Sequence, residues 1–381
     1  MLRRLAAVVP VLMLVACGSP TPEPAPHVGT TGAPITDGPL YDPPKSFADQ
    51  GVSLTKDRKA LVGNEAAFTI TAKEGSSSDA ALNVRAIALV DGVERWVAKT
   101  PVERGPGDPI RLSGGQVVWA GLARGSNGFD LVVGGLDART GNQTWTARTA
   151  YPGGASPQET RTSVVAANDA FVAVVAGSFG ALVDVRASSA TALPAGFVPV
   201  GLDDRIVVGL RTSGAGTIAQ GLDVGTAKVR WTGSAPVRDL RAAVVVPGLA
   251  QFVEDVPAEP RTLLLGTGDG GVRATLPESP SCSPAAQDVV VCVSYHDVTA
   301  LDLAGTRLWT LPDTSTGRLN PEVAAVYAGL VYGRAHGGTI LDARTGRDVA
   351  TGVGRVPDAI VPGYGVRRDD MTGLTSYRAT G

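Results

Sequence analysis

The chain has 381 residues, of which 44% are hydrophobic and 5% aromatic, and its formal net charge at pH 7 is −2. The near balance of 34 basic and 36 acidic residues, without a basic patch, argues against a nucleic-acid-binding protein. The 48 glycines and the many short valine-rich and alanine-rich runs between turn residues predict an all-β fold.

Residues 1–17 read as an export signal. Arg3 and Arg4 precede an apolar run that is too short for a comfortable transmembrane helix. The sequence Leu-Val-Ala-Cys, which ends at Cys17, resembles the bacterial lipobox. This resemblance implies that Cys17 is acylated, with palmitate among the chains, and becomes the mature N-terminus. An ordinary signal peptide with a chance cysteine is the alternative.

Residues 18–44 are rich in proline, glycine and threonine and have no apolar period. Such a segment buries too little apolar surface to offset its chain entropy, so it predicts a disordered linker. The remaining residues, 45–381, form one domain of similar repeats.

The repeat is clearest around Asp137, Gly141 and Trp145. An apolar strand ends at Asp137, Gly141 suits a tight turn with positive φ, and Trp145 lies on the returning strand. Weaker copies of this repeat recur along the chain. The positions that align with Asp137, which we call register positions, are 91, 184, 223, 267, 302, 342 and 377. The matching aspartates and tryptophans include Asp223 with Trp231, Asp302 with Trp309, and Asp342.

These spacings of 35 to 47 residues suit four-stranded antiparallel blades of a β-propeller. We expect eight blades, with seven as the alternative. The last repeat stops after its third strand, so we expect the region 46–54 to supply the fourth strand and close the ring. The repeated tryptophan is expected to pack against the neighbouring blade.

The pattern Ala-x-Asp-x-x-x-Gly-x-x-x-Trp resembles that of quinoprotein dehydrogenase-like propellers, whose repeats bind pyrroloquinoline quinone (PQQ) in some members. The resemblance covers residues 45–381 and is best at Asp137, Gly141 and Trp145. With its lipobox and linker, the chain is also similar to the propeller lipoproteins of the outer-membrane barrel assembly machinery. Adjacent cysteines, which often lie beneath the quinone, do not occur in this sequence. We therefore expect neither PQQ nor another cofactor.

Two histidines fall at equivalent positions of adjacent repeats. His296 and His336 each precede a register aspartate by six residues, and Tyr295 and Arg334 lie beside them. These four residues could line a binding patch, whereas exposed loop histidines are the simpler interpretation. No aspartate or glutamate beyond Asp297 is evident as a third metal ligand, so no metal site is expected.

Cys282 and Cys292 are the cysteines that remain after the lipobox. They fall on the first and second strands of one repeat, on either side of a turn, and exported proteins retain disulfides. A cross-strand disulfide between them is expected.

Together these features predict a monomeric, lipid-anchored propeller at the outer face of the cytoplasmic membrane or elsewhere on the extracytoplasmic side of the cell envelope. We expect it to attach to the membrane through acyl groups and to act as a non-catalytic scaffold for an envelope protein. An envelope enzyme, either carbohydrate-active or a quinone-dependent dehydrogenase, and an extracytoplasmic ligand sensor are the alternatives.

Overall fold

The computed structural model describes residues 43–71, 81–213, 216–239, 247–254, 261–278, 280–286, 288–312, 315, 317–334 and 337–380. Cys17, the rest of the signal sequence, the linker up to residue 42, and His336 lie outside the described residues. Within the described ranges the regular structure consists of β-strands, and no α-helix occurs.

The strands alternate with short turns along the whole described chain. In chain order they are β1 (Val52–Thr55), β2 (Leu61–Val62), β3 (Ala66–Thr71), β4 (Ala81–Ala88), β5 (Glu94–Glu103), β6 (Ile110–Ser113), β7 (Gln116–Gly125), β8 (Gly128–Asp137), β9 (Gln143–Tyr151), β10 (Thr162–Ala167), β11 (Phe171–Ala176), β12 (Phe179–Asp184), β13 (Ser189–Ala192), β14 (Phe197–Asp203), β15 (Ile206–Ser213), β16 (Gly216–Asp223), β17 (Val229–Asp239), β18 (Leu249–Glu254), β19 (Arg261–Gly266), β20 (Val272–Pro277), β21 (Ser281–Ala286), β22 (Val289–Val293), β23 (Val298–Asp302), β24 (Arg307–Leu311), β25 (Val323–Tyr327), β26 (Leu330–Gly333), β27 (Thr339–Asp342), β28 (Asp348–Thr351), β29 (Ala359–Val361), β30 (Tyr364–Asp369) and β31 (Gly373–Arg378).

Hydrogen bonding arranges these strands into antiparallel sheets. Four sheets have four strands each, namely β10 to β13, β21 to β24, β25 to β28, and β29 to β31 with β1. In the eight-stranded sheet, β2 to β5 connect to β6 to β9 through one residue pair, Glu103 with Leu122. In the seven-stranded sheet, β17 pairs with both β16 and β18. The propeller fold is confirmed. The count of eight blades stays a prediction, because it requires the eight-stranded sheet and the seven-stranded sheet each to be divided into two blades.

The two ends of the domain pair with each other. On β1, Val52 is opposite Ser376 and Thr55 is opposite Leu374, both on β31. An isolated bridge between Phe47 and Ala379 extends this pairing. The N-terminal segment therefore supplies the fourth strand of the last sheet, as the sequence predicts, and covers an edge that would otherwise expose unpaired backbone groups.

The hydrophobic core lies between successive sheets. In one cluster, Val291 of β22 and Ala300 of β23 are buried together with Val331 of β26 and Leu341 of β27. Each sheet thus covers its apolar face with the next sheet, which accounts for strands that are apolar on both faces.

The repeated aspartate stabilises the turn between the third and fourth strands of a repeat. Asp137 Oδ1 accepts hydrogen bonds from the Arg139 N–H (3.0 Å), the Thr140 N–H (2.8 Å) and Thr140 Oγ1 (2.9 Å). Partial burial raises the pKa of the Asp137 carboxyl, but the hydrogen bonds from Thr140 and Arg139 outweigh it and the net pKa is lowered. Gly141 closes the turn at φ 73°.

The same three donors recur at two other register aspartates. Asp223 accepts from the N–H groups of Gly225 and Thr226 and from the Thr226 hydroxyl. Asp342 accepts equivalent bonds from Arg344 and Thr345. This local Asx geometry explains why the aspartate recurs at this position.

The degenerate fifth copy is shifted by one residue from the predicted register position, 267. Gly270 N–H bonds to Gly266 O at 2.8 Å, as Gly141 N–H bonds to Asp137 O in the clear copy. Gly266 therefore takes the aspartate position. The backbone turn is retained although its side-chain acceptor has been lost.

Three tryptophans on fourth strands contact the turn of the following repeat. The indole N–H of Trp96 donates to Ala138 O (3.2 Å), that of Trp231 to Thr267 O (2.6 Å), and that of Trp309 to Ala343 O (2.8 Å). Each ring packs over a glycine of that turn; the three glycines are Gly141, Gly270 and Gly346. The predicted packing against the neighbouring repeat is therefore present, and glycine is required because a side chain would overlap the ring.

Trp145 contacts the next sheet in a different way. Its ring packs in a cluster with Val164, Val172 and Val183, but its N–H donates to Gln116 Oε1 (2.8 Å) within its own sheet. The next turn has Ser188 at the position that Gly141, Gly270 and Gly346 occupy in the three turns that contact tryptophan rings. Because Ser188 has a side chain, that turn lacks the open space that a tryptophan ring covers in the turns with glycine.

Candidate binding surface

The ends of the strands define two edges of the domain. Turns that join first to second strands and third to fourth strands lie on one side, which we call the turn edge. Connections from second to third strands, and from one sheet to the next, lie on the opposite side, which we call the crossover edge. Tyr295 and His296 lie between β22 and β23, and Arg334 lies between β26 and β27. The three described residues of the predicted patch therefore share the crossover edge.

Tyr295 stands out from this edge. Its side chain is 89% exposed, and its ring meets the His296 ring edge to face, with centroids 5.0 Å apart. Ser294 Oγ accepts hydrogen bonds from the N–H groups of His296 (3.1 Å) and Asp297 (2.9 Å), which fixes the loop. His296 Nε2 lies 3.4 Å from Glu278 Oε1, close enough for an ion pair when the imidazole is protonated. The loop is thus short, is held by internal hydrogen bonds, and presents an exposed aromatic ring.

Arg334 is held between two carboxylates. Its Nη1 donates to Glu322 Oε1 (2.9 Å), and its Nη2 bonds to Asp358 Oδ1. Burial lowers the pKa of the Arg334 guanidinium, but its bonds to Glu322 and Asp358 outweigh this and raise it overall. Asp358 Oδ2 also accepts from the Arg368 N–H (2.6 Å). Arg334 is therefore a fixed cation rather than a free surface side chain.

A short segment before β25 connects the tyrosine loop to the arginine. Asn320 Nδ2 donates to His296 O (3.4 Å), and Glu322, two residues later, bonds Arg334. The structure thus links Tyr295 and His296 to Arg334 through one stretch of chain, although they lie in different repeats.

A cavity of about 170 Å³ opens beside Arg334. Arg355, from the connection between β28 and β29, and Arg367, near the end of β30, also line it. Neither arginine is predicted from the sequence, because neither lies at a repeat-related position relative to Arg334. A wider groove of about 400 Å³ adjoins it at Gly338 and includes Leu319, which is 66% exposed.

Acidic, histidine and cysteine side chains do not assemble into a metal-binding group of three or more within the described ranges. Likewise, no helix in the part of the chain that the structure describes has the length and apolar character needed to cross a bilayer.

The structure joins Cys282 on β21 to Cys292 on β22 by a disulfide, as the sequence analysis expects. The two residues are direct partners in the sheet register, and both are buried with Val290 and Leu301. The disulfide is buried near the crossover ends of β21 and β22, one residue pair from the last pair of the hairpin, and its buried position gives it a structural role.

Comparisons with known proteins bear on the fold alone. No protein-family model matches the chain, and no curated protein sequence matches it significantly. The computationally designed protein Ika8 superposes with a TM-score of 0.55 at 11% identity, covering 86% of this chain and 98% of its own.

Two natural propellers superpose more loosely. BamB from Moraxella catarrhalis has a TM-score of 0.47 at 16% identity, covering 86% of this chain and 98% of its own. The Dos1 propeller also has a TM-score of 0.47, at 11% identity, covering 89% of this chain and 96% of its own. Likenesses this weak transfer no site or activity, and the fold assignment rests on the strand pairing.

Proposed function

We propose that this chain is a β-propeller scaffold that is tethered to the cell envelope by a lipid on Cys17 and binds a partner protein through its crossover edge. The observation that carries the proposal is the combination at that edge of an exposed aromatic ring, Tyr295, an exposed apolar side chain, Leu319, and a fixed arginine, Arg334. Tyrosine and arginine are enriched among the residues that dominate binding at protein interfaces.

Rigidity supports this use of the surface. The Ser294 turn holds the tyrosine loop, and Glu322 with Asp358 holds Arg334. Because these side chains are already ordered, they lose little conformational entropy when a partner binds to them. The sheets beneath the loops supply a stable base.

The first described residues of the domain extend the pairing of β1 with β31. Ser46 O accepts from Thr380 N–H (3.1 Å), and Ala379 N–H donates to Gly363 O (2.9 Å) in the turn between β29 and β30. Residue 46 therefore lies at the turn edge. Pro44, nearer the linker, packs against β26, where its O accepts from the buried Tyr332 Oη (2.9 Å).

Site-specific photo-crosslinking in native membranes tests the proposal. A photoreactive residue replaces Tyr295, and the matched control places it at Arg186, which is exposed in the turn between β12 and β13. We expect a reproducible protein adduct from position 295 and none from position 186. Equal adducts from both positions, or none from position 295, would contradict the assigned surface.

The anchor is tested separately. Cys17→Ser should abolish incorporation of labelled palmitate and release the protein from washed membranes, because a lipid chain is then missing. Retention of the label in the variant would contradict acylation at this residue.

A further inference from the structure

Three guanidinium groups line the small cavity at the crossover edge. Arg334, Arg355 and Arg367 come from the connection after β26, the connection after β28, and β30. They come from two successive sheets and the connection between them, so the packing of neighbouring sheets brings them together. Arginine is the side chain best suited to planar recognition of carboxylate and phosphate groups.

Arg355 is fixed by neutral groups. Its Nη1 donates to Tyr377 Oη (3.1 Å), its Nη2 donates to Asp49 O (3.3 Å), and its guanidinium carbon lies 4.4 Å from the centroid of the Tyr377 ring. Its Nε is buried and has no hydrogen-bond partner among the described residues. A buried N–H donor of this kind is normally satisfied, so an acceptor is expected at this position.

The charge around the cavity points to the type of acceptor. Glu322 and Asp358 are both engaged by Arg334, and the contacts of Arg355 within the described ranges are with a phenol, a carbonyl and an aromatic ring. Three of the residues that line the cavity are arginines and none is acidic; of the carboxylates nearby, Glu322 and Asp358 pair with Arg334, and Asp369 lies near Arg367. The balance favours a ligand that brings negative charge.

The lining also leaves room for such a group. Gly354 forms part of the wall, and a Cβ built at this position would meet nothing within 4 Å. Arg367 is exposed at the entrance and Arg355 is half-buried, so a ligand that enters from solvent passes one cation to reach the other.

We infer that this cavity is an oxyanion site, which takes a carboxylate or phosphate group through Arg355 and Arg367 while Arg334 helps to shape its wall. The inference rests on the proposed function only for the source of the anion. The group is either a small free anion or an acidic group of the proposed partner protein, and the chemistry of recognition is the same.

Anion titration of the isolated protein at constant ionic strength tests the site. The probes are inorganic phosphate and succinate, and the readouts are calorimetry and the ¹H–¹⁵N signal of the Arg355 Nε–H group. We expect saturable binding with a dissociation constant below about 1 mM. Arg355→Gln and Arg367→Gln should each weaken binding by about tenfold or more, whereas the matched control Arg186→Gln should leave it unchanged.

The variants divide the outcomes cleanly. If Arg355→Gln weakens the fold by releasing Tyr377, the exposed Arg367→Gln decides the case. Absence of saturable binding by the wild-type protein for both probes, or equal binding by the wild-type, Arg367→Gln and Arg186→Gln proteins, overturns the site.

The source of the anion is read from the crosslinking experiment. If phosphate or succinate suppresses the adduct at position 295, the anionic group belongs to the partner; if the adduct persists, the ligand is a free anion. Because the titration needs no partner, a failure of the oxyanion site and a failure of the scaffold proposal are distinguishable.

Discussion

Replacing Gly141 by alanine tests whether the glycine of the repeat serves as a platform for the preceding tryptophan. A Cβ at Gly141 would lie 2.6 Å from Trp96 Cδ2, well inside van der Waals contact. The matched control is Gly115→Ala, because Gly115 has φ 78° against 73° for Gly141, and its Cβ would meet nothing within 4 Å. The two variants therefore share the backbone strain and differ in the overlap with the ring.

The expected loss of stability is the sum of two effects, the backbone strain and the overlap with the ring. An L-residue in the left-handed region costs about 1–2 kcal/mol, which applies to both variants. Overpacking against a fixed neighbour adds about 1–3 kcal/mol, which applies only at Gly141. The overlap also displaces the Trp96 indole from Ala138 O, to which it donates at 3.2 Å. We expect Gly141→Ala to lower the free energy of unfolding by about 2–5 kcal/mol and Gly115→Ala by about 1–2 kcal/mol.

Urea unfolding followed by tryptophan fluorescence and circular dichroism measures both losses, with the coincidence of the two probes checking two-state behaviour. The same glycine substitution in a Trp96→Leu background should recover most of the extra loss, because the ring that it strikes has gone. Equal destabilisation by Gly141→Ala and Gly115→Ala, or no recovery in the Trp96→Leu background, would refute the reasoning.

Three further predictions concern the turn, the disulfide and the closing strand. The pKa of Asp137 is lowered from 3.8 in the folded protein, so its contribution to stability is present above pH 3.8 and lost below it; Asp137→Asn should flatten the acid limb of a stability-against-pH curve measured by urea midpoints. Changing Cys282 and Cys292 to alanine should lower the unfolding free energy by about 2–3 kcal/mol in the same assay, and an added reductant should then have no further effect. A chain that starts at residue 56 lacks β1, so it should have a lower melting temperature and should self-associate, as measured by light scattering. A chain that starts at residue 43 keeps β1 and should remain monomeric.

Local sequence chemistry predicted the repeating unit because the unit is local. Asp137 and Thr140 form their hydrogen bonds within four residues, and Gly141 adopts its positive φ in the same turn. Such interactions depend on residue type and spacing, both of which are visible in the sequence. For the same reason the pairing of Cys282 with Cys292, across one hairpin, could be anticipated.

Where the turn residues of the repeat are missing, the sequence predicts the register position or the tryptophan contact incorrectly. At Gly266 the side chain that marks the register is absent, and the predicted position was one residue too far along the chain. Trp145 resembles the other repeated tryptophans in sequence, but its indole bonds Gln116 because the next turn carries Ser188 in place of glycine. That difference depends on a second repeat, which the local pattern around Trp145 does not contain.

The sequence by itself determined that the chain is built of antiparallel β repeats, and that the segment before the first repeat completes the last. The tertiary structure decided which side chains share the crossover edge. Arg355 meets Asp49 O across 306 positions of sequence separation, and Arg367 joins it from another strand. Period and turn chemistry fix each hairpin, whereas the contacts between loops depend on how the sheets pack and on the pairing of β1 with β31, which brings the two ends of the domain together.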